Sequence, residues 1–168
     1  QAATIEIGSS SVELATDNST SAYSINNNGT LSITGAVSQF YGTIDGTNLS
    51  SSANGTLADS QRGNVTISNL NALTLYGNVG ATNGTGNFTL EANSQLIFAD
   101  NMTTFRTTTL TLGTNTTLTT GNNASRGNNR ASGDALTMTS NITMRGSSTL
   151  NVGNGTTITG NIFGDSDG

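Results

Sequence analysis

The segment TTTLTLGTNTTLTTG, residues 107–121, contains nine threonines and three leucines, with no charged and no aromatic side chain. Threonine is β-branched and favours extended backbone, so the segment predicts β-strands. Three uses of such a surface are open. These are an ice-binding face, a self-associating amyloid-like segment, and one coil of a repetitive scaffold whose outward threonines bind nothing specific.

Related units recur along the chain. Asn-x-Thr followed by an apolar residue or Thr begins at residues 28, 54, 64, 87, 141 and 154. Thr–apolar–Thr occurs at 117–119, 137–139 and 157–159, 20 residues apart each time. A period of about 20–23 residues is typical of solenoid repeats. We therefore expect the three Thr–apolar–Thr units to stack in successive coils, with Leu118, Met138 and Ile158 pointing inward.

A second series supports this period. The apolar residue that ends the repeated unit moves from Ile67 to Leu90 to Leu110, in steps of 23 and 20. Between Gly and Asn turn signals, short stretches alternate apolar and polar side chains, which is the strand period of two. These stretches are 4–7, 12–14, 31–33, 65–67, 73–75 and 88–90. No window carries a convincing helical stripe, and residues 94–105 fit a strand plus a turn.

The pattern predicts an all-β fold, either a right-handed parallel β-helix (a solenoid) of about seven coils or a β-sandwich or jelly roll. The repeat register favours the β-helix. So do the 23 asparagines, which suit left-handed corners and hydrogen-bonded ladders, and the lack of proline, which would remove backbone donors. We expect a single domain over 1–168, less regular in 1–62, where 36–62 is a longer loop or an atypical coil, and regular in 63–164.

Two stretches carry a family resemblance. SSTLNVGNGTTITGNIFG (147–164) and NVTISNLNALTLYGNV (64–79) resemble the β-helical passenger domains of bacterial type V autotransporter adhesins, over about residues 60–164. The resemblance implies a secreted or outer-surface β-helix that works in adhesion, aggregation or coat formation.

Composition excludes several classes of function. Only 9% of residues are charged and the net charge is -5, so we expect no electrostatic nucleic-acid footprint. No run of about 20 apolar residues predicts a membrane-spanning helix. The absence of cysteine excludes disulfides and Cys-ligated metal centres. Because residue 1 is Gln rather than Met, we expect the chain to be either processed or cut from a larger one, and a mature secreted form is favoured.

The carboxylates predict no catalytic, cofactor-binding or metal site. They are scattered, and there is no His to act as acid or base. The ten are Glu6, Glu13, Asp17, Asp45, Asp59, Glu91, Asp100, Asp134, Asp165 and Asp167. Glu6 and Glu13 occupy strand positions that face away from apolar neighbours, which predicts solvated side chains. An enzyme and a cofactor are therefore not expected.

Two further motifs have simpler explanations. Residues 164–168 begin like a calcium loop, but the remaining oxygen ligands are missing, so a polar terminus is favoured. Twelve Asn-x-Ser/Thr sequons occur, and the strand-entry pattern Asn-x-Thr is favoured over glycosylation as their cause. They begin at Asn18, Asn28, Asn48, Asn54, Asn64, Asn83, Asn87, Asn101, Asn115, Asn123, Asn141 and Asn154.

Three functional hypotheses follow. The first is a non-enzymatic cell-surface or secreted scaffold that acts by adhesion or self-association, with itself, a host, a matrix or another cell as partner. The second is a subunit of an extracellular filament that uses its N-terminal strand or open sheet edges. Ile5, Ile7, Val12 and Leu14 alternate with polar residues there and predict an edge that pairs with another chain. The third is an ice- or glycan-binding module that uses the Thr-x-Thr face.

Overall fold

The computed structural model describes residues 4–8, 11–15, 21–26, 29–35, 37–46, 63–69, 72–120, 135–153 and 155–165. These residues form strands and turns, and the predicted all-β class is confirmed. No helix among them is long and apolar enough to cross a membrane.

The strands are short, and most alternate polar and apolar side chains. They are β1 (Thr4–Ile7), β2 (Ser11–Leu14), β3 (Ala22–Ile25), β4 (Thr30–Thr34), β5 (Gln39–Phe40), β6 (Ile44–Gly46), β7 (Asn64–Ser68), β8 (Leu73–Leu75), β9 (Thr85–Leu90), β10 (Gln95–Phe98), β11 (Thr104–Leu112), β12 (Thr117–Thr119), β13 (Leu136–Arg145), β14 (Thr149–Asn151), β15 (Thr156–Thr159) and β16 (Ile162–Asp165). All six alternating stretches of the sequence lie in strands. Residues 36–62 are expected to form a longer loop or an atypical coil. Part of this segment forms strands β5 and β6 and is therefore not only a loop, whereas 47–62 lies outside the described residues.

The described strands pair in parallel. One sheet has the order β1-β3-β6, a second β14-β12-β10-β8-β5, and the largest β15-β13-β11-β9-β7-β4-β2, with β16 beside β13. The bridges Ile44–Val79 and Val79–Phe105 connect the three-stranded sheet to the start of β11. Sandwiches and jelly rolls are built from antiparallel sheets, so the parallel pairing favours the solenoid class.

Apolar side chains line up across the eight-stranded sheet. One column contains Val12, Leu31, Val65, Phe88, Leu110, Ile142 and Ile162. Its five central members are fully buried, while Val12 is only partly buried and Ile162 is 53% exposed. Burial of such stacked side chains supplies the main stabilising free energy, about 25 cal/mol per Å² of apolar surface.

The predicted 20-residue register holds in part. Met138 pairs with Ile158, and the flanking threonines pair as well, as predicted. The placement of Leu118 in that column is wrong, because Leu118 pairs with Leu96 and Leu150 in the five-stranded sheet. The neighbour of Met138 on its other side is Phe105, 33 positions earlier, since the interval between them includes residues 121–134.

The second series is also half right. Ile67 pairs with Leu90, as the 23-residue step predicts. Leu90 then pairs with Leu112 rather than Leu110, because the actual step is 22 residues. A one-position error in the period moves a side chain to the other face of a strand, and a two-position error keeps the face but changes the partner.

Candidate functional site

The outward face of the eight-stranded sheet carries the most regular surface of the described residues. Between the buried columns, β7, β9, β11 and β13 present two polar residues each, which we call the Asn-x-Thr array. Its members are Asn64 and Thr66, Asn87 and Thr89, Thr109 and Thr111, and Asn141 and Thr143. Adjacent strands lie about 4.8 Å apart, so the array repeats at that spacing.

The array explains the repeat that the sequence shows. The units NVTI at 64, NFTL at 87 and NITM at 141 occupy equivalent positions of the sheet. The unit at 28 does not, since its Thr30 pairs with Asn64 and is therefore shifted by two residues. In the unit at 154, Thr156 lies in β15 and pairs with Leu136 at the start of β13, away from the array. The unit at 54 lies outside the described ranges.

The asparagines of the array hold neighbouring strands together. The Oδ1 atom of Asn64 accepts a hydrogen bond from the backbone N–H of Asn87, and that of Asn141 accepts one from Asn161, each at 3.0 Å. Asparagine at this position therefore has a structural use, which accounts for the two sequons that begin at Asn64 and Asn141.

The threonines form the second line of the array. Thr66, Thr89, Thr111 and Thr143 stand side by side and are half-buried. Each offers a hydroxyl and a methyl group without charge. Such a line suits contact with a regular, neutral partner and is poorly suited to acid–base chemistry.

The predicted Thr-x-Thr face covers fewer strands than expected. Thr137 and Thr139 pair with Thr157 and Thr159, but Thr117 and Thr119 lie in the five-stranded sheet. On the other side of Thr137 and Thr139 stand Thr104 and Arg106, so a charged residue interrupts the threonines. The prediction that the three Thr-x-Thr units form one continuous surface is therefore wrong.

Two of the described carboxylates, Asp45 and Asp165, serve local structure. The Oδ1 atom of Asp45 accepts hydrogen bonds from the backbone N–H groups of Thr82 and Asn83, at 3.0 and 3.3 Å. Asp165, the first carboxylate of the sequence that begins like a calcium loop, is the last residue of β16 and lies 3.5 Å from Arg145 Nε as an ion pair. Within the described part of the chain, no group of three or more acidic side chains is placed to hold a metal ion.

Six of the other predicted carboxylates lie in strands or outside the described residues. Glu13 is exposed in β2, and Glu6 lies in β1. Four of the ten carboxylates lie outside the described residues: Asp17, Asp59, Asp134 and Asp167.

Sequence reasoning missed a pair of aromatic rings. The exposed Tyr41 stacks on the half-buried Tyr76, with ring centroids 4.5 Å apart and planes 18° from parallel. One feature of the sequence hints at the pair, because each tyrosine directly follows a strand that ends in an apolar residue, Phe40 or Leu75. Finding the pair required the register between β5 and β8, which no repeat in the sequence provides.

Comparison with family models, with curated proteins and with solved structures found no match. The functional interpretation therefore rests on the geometry and chemistry of this chain.

Proposed function

We propose that the chain is a right-handed parallel β-helix of about seven coils. One apolar column supports this architecture, because it contains one residue from each proposed coil: Ile5, Tyr23, Ile44, Val79, Phe105, Met138 and Ile158. Successive members are 18 to 35 positions apart, which leaves room for the chain to pass through the other sheets before returning. The right hand is proposed because crossovers between parallel strands are right-handed in nearly all proteins.

The proposed function is that of a non-catalytic extracellular or cell-surface scaffold, which acts by adhesion or self-association through its repetitive surface. The Asn-x-Thr array is the observation that carries this proposal. It is regular over four strands and uncharged, and its asparagines strengthen the scaffold. A secreted or surface location follows from the resemblance to autotransporter passengers, whose coils have the same Gly/Asn/Thr-rich character.

Adhesion is tested with microspheres that carry the purified protein. We expect coated spheres to aggregate with one another or to attach to cells and extracellular matrix, more than spheres that carry an unrelated protein of similar charge. The variant Thr89→Arg/Thr143→Arg places two charges on the array, on strands separated by β11. It should reduce attachment at least about tenfold, a loss of about 1.4 kcal/mol.

A matched control separates the array from charge in general. The variant Gln95→Arg/Thr149→Arg places the same two charges on the five-stranded sheet, on strands separated by β12. We expect its attachment to equal that of the original protein. Equal loss in both variants, or no attachment by a folded protein, contradicts the proposal.

A filament subunit is the second candidate, favoured by the apolar side chains at the first and last strands. Ile5 in β1 is 38% exposed, and Val152, Ile162 and Phe163 near the last strands are each more than half exposed. Such edges pair with other chains unless they are covered. Negative-stain electron microscopy at moderate concentration tests this: regular filaments favour the subunit, and single short rods favour the adhesive scaffold.

The ice- or glycan-binding alternative now depends on the Asn-x-Thr array instead of the predicted Thr-x-Thr face. A thermal-hysteresis measurement on the same sample tests ice binding. If the original protein shows thermal hysteresis and the Thr89→Arg/Thr143→Arg variant does not, ice binding is favoured over adhesion as the function of the array.

A further inference from the structure

Two tyrosines are held against each other on the molecular surface. Tyr41 follows β5 and Tyr76 follows β8, and these strands pair through Phe40 and Leu75. The N–H of Tyr76 donates to the carbonyl oxygen of Phe40 at 2.9 Å, which fixes the two backbones side by side. The rings stack with centroids 4.5 Å apart, and Tyr41 is 41% exposed.

We propose that Tyr41 and Tyr76 are a site of oxidative cross-linking, at which a haem peroxidase and hydrogen peroxide join the two rings as dityrosine. Each phenol loses one electron and one proton and becomes a radical with spin density on the ring carbons next to the C–O carbon. The two radicals combine in a carbon–carbon bond between these positions, and proton transfer from each carbon to its oxygen restores both phenols. One peroxide accepts the two electrons and two protons and leaves as two waters.

The arrangement favours coupling within one molecule. The stack holds the two rings with centroids 4.5 Å apart before oxidation, so coupling needs no encounter between chains. The hydroxyl of Tyr41 donates to Gln39 Oε1 at 3.0 Å, which holds that ring in place.

The third tyrosine is the natural comparison. Tyr23 is only 5% exposed and lies against Phe40, with ring centroids 5.6 Å apart. Tyr41 is exposed and Tyr76 is half-buried, so a peroxidase reaches this pair but not Tyr23. The chain has no cysteine, so this pair offers a covalent link between neighbouring strands that a disulfide cannot provide here.

The cross-link has a consequence for stability. It joins residues 41 and 76 and closes the chain segment between them, including residues 47–62. Closing a loop of this length restricts the unfolded chain, so we expect the melting temperature to rise by about 5–10 °C.

The test treats dilute protein with a haem peroxidase and limiting peroxide. We expect dityrosine fluorescence, a monomeric product that has lost two hydrogen atoms by intact mass, and a cross-linked fragment that contains residues 41 and 76. Tyr41→Phe and Tyr76→Phe keep the stacked rings and the fold but should each abolish the product. Tyr23→Phe is the matched control and should form it at the original yield.

Three results would overturn the proposal. They are a product that survives in Tyr41→Phe or Tyr76→Phe, cross-links that form only between chains, and no product under conditions that dimerise free tyrosine. Far-UV circular dichroism of each variant ensures that a missing product does not reflect unfolding. The outcome is independent of the adhesion assay, since the two surfaces are different.

Discussion

Asn93 and Asn115 stand at equivalent corners of neighbouring strands, and the Nδ2 atom of Asn115 donates to Asn93 Oδ1 at 2.8 Å. Both backbones are left-handed, with φ of 67° and 58°. Left-handed backbone is costly for most side chains and is tolerated by Asn and Gly. This pair confirms the prediction that asparagine occupies corners and links them by hydrogen bonds.

Substitutions at Asn115 separate two contributions of this residue to stability, its tolerance of left-handed backbone and its side-chain hydrogen bond. Asn115→Gly keeps the left-handed corner and loses the side-chain bond, so we expect a loss of about 0.5–1 kcal/mol of unfolding free energy. Asn115→Ala loses both and should be about 1–2 kcal/mol less stable than the glycine variant. Urea denaturation measures the difference. An alanine variant as stable as the glycine variant would show that the corner is not strained.

The Leu96–Leu118–Leu150 column gives a second prediction. Leu118 is fully buried between its two neighbours. Leu118→Asp places a carboxylate in that column and should cost at least about 3 kcal/mol, enough to unfold the strands around it. The control is Thr119→Asp, at the adjacent half-buried, outward position, which should cost about 1 kcal/mol or less. Far-UV circular dichroism and thermal melting report both. Retained structure in Leu118→Asp would contradict the column.

Local pattern predicted the strands well, because alternation of apolar and polar side chains follows from strand geometry alone. Val65-Thr66-Ile67 and Phe88-Thr89-Leu90 alternate in burial as their sequences predict. The asparagine corners were also predictable, since their backbone preference is a property of the residue type.

The pairing of distant strands was less predictable. Spacing identifies neighbours only where the connecting segments have equal length. Met138 and Ile158 are 20 positions apart and pair, whereas Phe105 and Met138 are 33 positions apart and also pair. Because the longer interval includes residues 121–134, the equal spacing between Leu118 and Met138 indicated a contact that does not exist. The Asn-x-Thr array and the Tyr41–Tyr76 stack depend on the same register, so the sequence contained their residues but not their arrangement.

Gly80 provides a test of close backbone approach. Its φ is 71°, and a Cβ atom there would clash with the carbonyl oxygen of Arg106. Gly80→Ala should therefore cost at least about 2 kcal/mol. The matched control is Gly164→Ala, because a Cβ at Gly164 meets no atom within 4 Å, and its stability should change by less than about 0.5 kcal/mol. Equal effects in a urea titration would contradict the close approach at Gly80.

The bond between Asn64 and Asn87 tests the structural use of the array. Asn64→Ala removes the side-chain acceptor of the Asn87 N–H and should cost about 0.5–1.5 kcal/mol. Asn64→Asp keeps an acceptor oxygen at the same place and should retain most of the stability. Hydrogen exchange at the Asn87 amide gives a direct measurement, with faster exchange expected only in the alanine variant. Unchanged protection in that variant would show that the bond contributes nothing.

Tyr76 predicts a specific loss of stability at alkaline pH. Burial, then the neighbouring Tyr41, then Asp100 raise the pKa of Tyr76 above its ordinary value of about 10. The folded protein thus holds this proton more tightly than the unfolded chain. The resulting stabilisation is fully present below pH about 10 and is lost as the pH rises through the folded-state pKa. Urea unfolding between pH about 9 and about 11 should show a steeper decline for the original protein than for Tyr76→Phe. Asp100→Asn should give an intermediate slope, because it removes only the last of the three causes. Identical slopes in all three proteins would mean that Tyr76 titrates alike in the folded and unfolded states.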